Sequence, residues 1–227
     1  MLGGISEISA DLERIVDWLI DDCKLTSPPI DCLQLSHNLS RGAFRFEKLG
    51  NRGEITWAGN ERAVAIRAED RMERAQWTAA HEIGELVLPQ RMEFCDAIEL
   101  DVLCNRFAML LLAPRKWYWD DCRRLRFDLL KLKEIYGTAS HEVLALRMLD
   151  LPTPALVTIF DHGRMTRRTA NLAFRAPELT PTERSAQTVA RTTGAPTRMF
   201  GDGVHVCAWP VHEPNWPREI LRTVLDE

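Results

Sequence analysis

The start of the chain carries apolar residues at the spacing of an amphipathic helix. They recur every three or four positions, which places them on one face of a helix over residues 6–22. They are Ile8, Leu12, Ile15, Val16, Leu19 and Ile20. The run Thr26-Ser27-Pro28-Pro29 then ends the helix, since proline cannot continue it. A second, shorter helix is predicted over residues 30–39.

The pattern changes to that of β-strands in the next part of the chain. Short segments at residues 42–49, 54–58 and 63–67 are predicted as strands. The sequence Ala58-Gly59-Asn60-Glu61 is typical of a hairpin connection between the last two. We therefore expect a small sheet after the first two helices.

Helical spacing returns over residues 71–88, where Pro89 follows the last apolar position. A further helix over residues 97–112 is so rich in apolar residues that it must be largely buried. Ala113-Pro114 ends it. We expect these two helices to pack against each other.

The rest of the chain divides at Pro152 and Pro154. Before these prolines, residues 120–150 predict two helices around Gly137, with Ser140 as the cap of the second. After them, strands at residues 155–160 and 204–209 flank a Pro/Thr-rich stretch, which indicates a small α+β module. The predicted segments are residues 1–119, 120–152 and 153–227.

Composition and charge exclude several classes of protein. No apolar run approaches the roughly 20 residues of a membrane-spanning helix, and the N-terminus lacks the pattern of a signal peptide. The six cysteines form no C-x-x-C pair, which favours free thiols in a reducing compartment. We expect a cytoplasmic protein without a membrane partner. The net charge of −4 gives no general attraction for nucleic acid.

The helix over residues 71–88 carries the main candidate chemistry. His81 and Glu85 are four residues apart, so their side chains lie on the same helix face and can converge on one ion. Glu82 would then polarise a metal-bound water as a general base, as in H-E-x-x-H peptidases. Zinc accepts these ligands, and an oxygen-rich set shifts preference toward manganese. The alternative is a degenerate site that has lost its metal.

Three ordered blocks carry a resemblance to the ImmA/IrrE-type metallopeptidases. The block Arg74-Ala75-Gln76-Trp77-Thr78-Ala79-Ala80-His81-Glu82-Ile83-Gly84-Glu85-Leu86 resembles that family's R-x-R-F-T-x-A-H-E-L-G-H-L stretch. Upstream, Pro29 to Leu35 resembles its lead-in. Downstream, Asp101 to Pro114 resembles its E-x-x-C-N-x-F-A-x-x-L-L-x-P block. The resemblance covers residues 6–120.

The resemblance implies an α+β fold: a mainly helical zincin-like peptidase core with a small β-hairpin sheet, then a helical segment and the C-terminal α+β module. It also implies that Asp101 is the third metal ligand. This chain departs from the family twice, with Glu85 in place of the second histidine and Asp101 in place of glutamate. Glu99 is a nearby acid, but it lies about 200 degrees around the helix from Asp101.

Three functions are compatible with this pattern. The first is a metal-dependent endopeptidase that cleaves a regulatory protein such as a helix-turn-helix repressor, with His81, Glu85 and Asp101 as ligands and Glu82 as base. The second is an inactive peptidase-fold regulator or sensor that binds protein. The third is DNA binding through residues 120–150, for which only His141 and Arg147 on the second helix offer base-reading groups.

Overall fold

Eight α-helices and eight strands follow one another along the described part of the chain. The structure is a computed structural model, and it describes residues 2–39, 44–47, 54–58, 61–67, 71–94, 96–173, 176–213 and 215–226. The expected α+β class is confirmed. No helix among these residues is long and apolar enough to cross a membrane. The five cysteines in this part of the chain are free thiols.

The helices and strands group into two compact units. Unit 1 comprises Met1–Arg124 and Lys133–Ser140, and unit 2 comprises Leu125–Leu132 and His141–Glu227. The boundary crosses helix α6, Leu129–Ile135. The three-segment division made from the sequence stays a prediction.

Unit 1 contains five whole helices, and the sequence pattern predicts four of them to within a few residues. They are α1 Leu2–Asp22, α2 Cys32–Leu39, α3 Met72–Val87, α4 Ala97–Leu112 and α5 Arg115–Arg124. Helix α5, which follows Pro114 directly, is the helix that the sequence pattern did not predict. Helix α4 begins where Asp96 caps it, its carboxylate accepting a hydrogen bond from the Glu99 backbone N–H at 2.8 Å.

The predicted small sheet is present in unit 1, with strands β1 Phe44–Glu47, β2 Glu54–Ala58 and β3 Glu61–Arg67. Its order is β1-β3-β2, with β3 parallel to β1 and antiparallel to β2. Ala58 pairs with Glu61, as a hairpin requires. The connecting residues Gly59 and Asn60 lie outside the described residues.

Helices α3 and α4 pack against each other, as expected, and Gly84 lies where they are in contact. A Cβ atom at that position would lie 3.1 Å from Phe107 Cδ1, 3.2 Å from Cys104 Sγ and 3.3 Å from Cys104 Cα. Phe107 and Cys104 are both fully buried. The absence of a side chain at Gly84 therefore sets the distance between the two helices.

Unit 2 is built on a five-stranded antiparallel sheet of order β5-β4-β8-β7-β6. Two of its strands are predicted from the sequence, and three strands and a helix are not. The elements of this unit after the shared helix α6 are α7 His141–Arg147, β4 Ala155–Asp161, β5 Arg164–Ala170, α8 Pro181–Thr193, β6 Thr197–Gly201, β7 Val204–Pro210 and β8 Arg218–Leu225.

Helix α8 packs on this sheet and has clear signals at both ends. Thr180 and Glu183 form a capping box, and Gly194 ends the helix in the left-handed conformation with φ 63°. Ala186 and Ala190 face the sheet and pack in the buried cluster that includes Phe160 and Leu221.

A buried ion pair joins α8 to the sheet. The fully buried carboxylate of Glu183 accepts two hydrogen bonds from Arg168, at 2.9 and 3.1 Å, and one from Thr223 Oγ1 at 2.6 Å. Burial alone raises the pKa of Glu183, but these bonds and the one from the Thr180 backbone lower it below its ordinary value.

We expect Gly84→Ala to destabilise the protein, although alanine is the better helix former. The added methyl group has only buried atoms to displace, and overpacking of this kind costs about 1–3 kcal/mol against a helix-propensity gain of about 1 kcal/mol. Gly137→Ala is the control, since its Cβ would meet only Lys133 O at 4.0 Å. Thermal unfolding of both variants measures the effect. A Gly84→Ala protein as stable as Gly137→Ala would show that the helices are not in close contact.

We expect Glu183→Gln to lower the free energy of unfolding by about 3 kcal/mol or more at neutral pH, because Arg168 loses its buried counter-charge. A carboxyl group whose pKa is lower in the folded protein contributes its full stabilisation at pH values above its unfolded-state pKa, which is near 4.5. That contribution is lost as the pH falls through the folded-state value, so the difference between the two proteins should narrow in acid.

Denaturant titrations at pH 7 and below pH 4 measure this difference. Glu178→Gln, which removes an exposed carboxylate just before the same helix, is the control. A difference between wild type and Glu183→Gln that does not depend on pH would contradict the role assigned to the Glu183 charge.

Candidate functional site

Helix α3 brings His81 and Glu85 together, as their spacing predicts. His81 Nε2 lies 3.4 Å from Glu85 Oε1, one helical turn further on. The His81 side chain is 15% exposed and that of Glu85 is 36% exposed. The pair therefore lies at the edge of the core, where solvent still reaches the carboxylate.

Helix α4 adds Asp101 to this pair. Asp101 Oδ1 lies 3.7 Å from His81 Nε2, and its other oxygen accepts a hydrogen bond from Asn105 Nδ2 at 3.0 Å. The sequence analysis considered both Glu99 and Asp101 on this helix. Asp101, which it preferred, lies close to His81. We call His81, Glu85 and Asp101 the His81 cluster.

Glu82, the predicted base, lies on α3 beside His81 but is only 5% exposed. A general base acts on a proton within hydrogen-bond reach, so it needs access to the reacting water. The burial of Glu82 places it with the residues that fill the core.

The pKa of Cys104, which lies at the contact between α3 and α4, shows that the neighbouring acids are close. Burial, together with the negative charges of Glu85, Glu82 and Asp101, raises the pKa of its thiol to about 12. The thiol remains protonated at neutral pH. Cys104 therefore acts as a small apolar residue here and not as a nucleophile or a thiolate ligand.

The distances within the His81 cluster allow a test of the predicted metal site. Two ligand atoms about 2.1 Å from a tetrahedral zinc ion lie about 3.4 Å apart. The separations of 3.4 and 3.7 Å from His81 Nε2 are close to this value. Among the described residues, however, no group of three or more His, Cys, Asp or Glu side chains is arranged to hold a metal ion. The donor types and these two distances suit a zinc ion, but the three side chains together do not meet the arrangement of a metal site.

Gln76 is a positioning residue that the sequence analysis missed. Its side chain is almost fully buried, and its Oε1 accepts a hydrogen bond from the Cys32 backbone N–H at 2.6 Å. Its Nε2 donates to Asp31 Oδ1 at 2.9 Å. Gln76 thereby connects the start of α2 to the helix that carries His81. The signal was a polar residue at a core position of an amphipathic helix.

Three arginines of residues 120–150, the segment considered for DNA binding, are engaged in ion pairs. Arg147 is fully buried and forms an ion pair with Asp150. Arg123 pairs with Asp120 at 3.3 Å, and Arg124 pairs with Asp121 at 2.6 Å. These acids thus partly neutralise the positive charge of Arg123 and Arg124, and Arg147 does not reach the surface. DNA binding stays a prediction.

Comparison with known proteins gives a likeness of fold. No family model matches the chain, and no relative was found among curated proteins. The structure is similar to a Mycobacterium tuberculosis transcriptional regulator, with a TM-score of 0.71 and 13% sequence identity. The match covers 96% of this chain and 76% of that chain. At this identity, the likeness shows that the fold is shared.

Proposed function

We propose that the chain is a non-catalytic regulator of transcription that acts by binding a protein. The observation that carries the proposal is the fold it shares, over 96% of its length, with a chain described as a transcriptional regulator. Because one fold hosts many functions, the site must support the proposal as well.

The site supports binding better than hydrolysis. Glu82 is buried, and the His81 cluster lacks the arrangement of a complete metal ligand set within the part of the chain that the structure describes. The cluster instead provides contacts between an imidazole on α3 and carboxylates on both helices. Neither contact requires a reaction.

An exposed apolar patch lies next to the cluster. Ile98 is 77% exposed and Val102 is 60% exposed, and the two are one turn apart on α4, beside Asp101. The burial expected for α4 holds for its second half but not for these first turns. Exposed apolar side chains with polar neighbours are typical of a surface that a protein partner covers. We call Ile98 and Val102 the α4 patch.

The second candidate function is the metal-dependent endopeptidase, favoured by the two distances from His81 Nε2. His81, Glu85 and Asp101 would hold a divalent ion, with zinc as the first expectation and manganese as the second. The ion would supply Lewis acidity toward a peptide carbonyl and a water molecule. Glu82 would accept the proton of that water, and the substrate would be a regulatory protein such as a helix-turn-helix repressor.

Complementation separates the two functions. We expect deletion of the gene to change transcript levels, and we expect both the wild type and Glu82→Gln to restore them, since the regulator needs no general base. Glu134→Gln, which removes an exposed carboxylate away from the site, is the control. The measurement is transcript profiling together with profiling of protein N-termini. The endopeptidase would be established instead by two results together. A folded Glu82→Gln protein would fail to restore the transcripts, and a protein N-terminus that appears with the wild type would be missing with the variant.

We expect the double variant Ile98→Ser/Val102→Ser to fail in the same complementation assay, because it removes the apolar surface that the partner would cover. Met165→Ser, which changes an apolar residue that is 50% exposed in unit 2, should restore the transcripts. The variants are first compared with wild type by thermal unfolding. Full restoration by the double variant would exclude the α4 patch as the binding surface.

A further inference from the structure

Strand β6 forms one edge of the sheet in unit 2. The hairpin that joins it to β7 turns at Asp202 and Gly203, with φ 53° and 70°, and Gly201 pairs with Val204 next to the turn. In a two-residue hairpin of this kind, the pair next to the turn exchanges both backbone hydrogen bonds. Such pairs alternate with unbonded pairs along the ladder, so Met199 is bonded to β7 in the same way as Gly201.

Arg198 and Phe200 therefore direct their backbone N–H and C=O groups away from β7. No backbone hydrogen bond joins either residue to a loop or to another element in the part of the chain that the structure describes. The outer edge of β6 thus carries a row of open donors and acceptors. Open groups of this kind are a template on which a further strand can pair.

The opposite edge of the sheet, β5, has features that normally prevent such pairing. Ile159 pairs with Arg167 and Phe160 pairs with Met165, so Thr166 is an extra residue that forms a bulge. Exposed arginine side chains also line this strand. Bulges and charges are the usual means of blocking an edge. Strand β6, in contrast, pairs with β7 without any shift of register.

Strand β6 presents an apolar side chain on each face of the sheet. Phe200 is 69% exposed, and its ring meets that of His205 edge-on, with centroids 4.4 Å apart. Arg198 is exposed on the same face, where its side chain is hydrogen-bonded to Cys207. Met199 lies on the other face and packs, only partly buried, against the apolar cluster below α8. The core of unit 2 therefore extends to this edge and ends there.

We propose that the chain forms a two-fold symmetric dimer in which β6 pairs antiparallel with β6 of a second copy, with Met199 at the axis. In this register Arg198 of each copy is opposite Phe200 of the other, and the two residues exchange both backbone hydrogen bonds. All the open donors and acceptors of Arg198 and Phe200 are then used. The two five-stranded sheets become one continuous sheet.

The side chains favour a second copy over an unrelated strand. Opposite residues of an antiparallel pair lie about 4.5–5.5 Å apart, so Arg198 reaches the exposed ring of the opposing Phe200 for a cation–π contact. The two-fold axis provides this contact twice. Met199 meets its own counterpart on the other face, where it joins the apolar clusters of both copies. Pro196, which has no N–H, limits the pairing to the residues of β6.

Helix α8 leaves room for this pairing. It packs over β6, β7 and β8, so its axis lies near β7, the middle strand of the three. Neighbouring strands are about 4.8 Å apart, which places β7 about 7 Å from the two-fold axis and the two α8 helices about 14 Å apart. Packed helices approach to about 8–10 Å, so the helices of the two copies do not collide.

The association state of the full chain tests the pairing. Sedimentation equilibrium over a wide range of protein concentration should show a monomer–dimer equilibrium. We expect Phe200→Arg to raise the dimer dissociation constant at least about tenfold, because it places like charges opposite each other on both sides of the axis. Met165→Arg, an equivalent change of an exposed apolar residue on β5, should leave the constant unchanged.

A double variant tests the register. Arg198→Glu/Phe200→Arg places a glutamate opposite an arginine of the other copy on both sides of the axis. We expect it to dimerise at least about tenfold more tightly than Phe200→Arg alone, since the repulsion becomes an attraction. A parallel or shifted pairing would not bring these two positions together. Thermal unfolding first confirms that each variant is folded.

A disulfide tests the position of the axis. Met199→Cys places two thiols at residues whose Cα atoms are about 4.5 Å apart, which suits a disulfide. Oxidation should therefore give a covalent dimer. Thr197→Cys on the same face is the control, because its two thiols would be about 14 Å apart and out of reach. The wild type measures any cross-linking by the native cysteines.

Each of three results would overturn the proposal. The first is a chain that remains monomeric at every concentration. The second is a dimer that Phe200→Arg does not weaken. The third is a Met199→Cys protein that forms no more covalent dimer than Thr197→Cys. The pairing uses no residue of the α4 patch, so none of these results would bear on the proposed function.

Discussion

The close contact between α3 and α4 at Gly84 is the constraint on which the candidate site depends. A Cβ atom at Gly84 would lie within 3.3 Å of buried atoms of Cys104 and Phe107, so the helices leave little room for a side chain there. This approach brings Asp101 on α4 to His81 on α3. A side chain at position 84 would move the helices apart and separate Asp101 from the imidazole. The glycine of the H-E-I-G-E sequence is thus as important for the cluster as its histidine.

The same contact does not depend on the residues that surround His81. Packing of α3 on α4 requires Gly84, Cys104 and Phe107 but does not depend on which residues stand at positions 85 and 101. Glutamate and aspartate at these positions still interact with His81, so the helix pair keeps a polar contact at its edge. The protein binding that we propose would use the α4 patch, where Ile98 and Val102 are exposed.

Sequence periodicity predicted the part of the fold that has regular apolar spacing. Helices α1, α3 and α4 were located from it, and the interpretation of Asp101 as a neighbour of His81 came from the resemblance of ordered blocks. Helix α8 was missed because the stretch around it is rich in Pro and Thr, although Thr180, Glu183 and Gly194 are readable start and stop signals. Strands β5, β6 and β8 were also missed.

The nature of the His81 cluster is tested most directly by crystallography with zinc. Crystals of the full chain grown with zinc and measured at the zinc absorption edge would locate any ion by its anomalous signal. We predict no ion between the three side chains, with His81 Nε2 in contact with Glu85 and Asp101 near the observed 3.4 and 3.7 Å. A zinc ion bound to His81, Glu85 and Asp101 at about 2.0–2.2 Å would contradict the non-catalytic function and restore the endopeptidase.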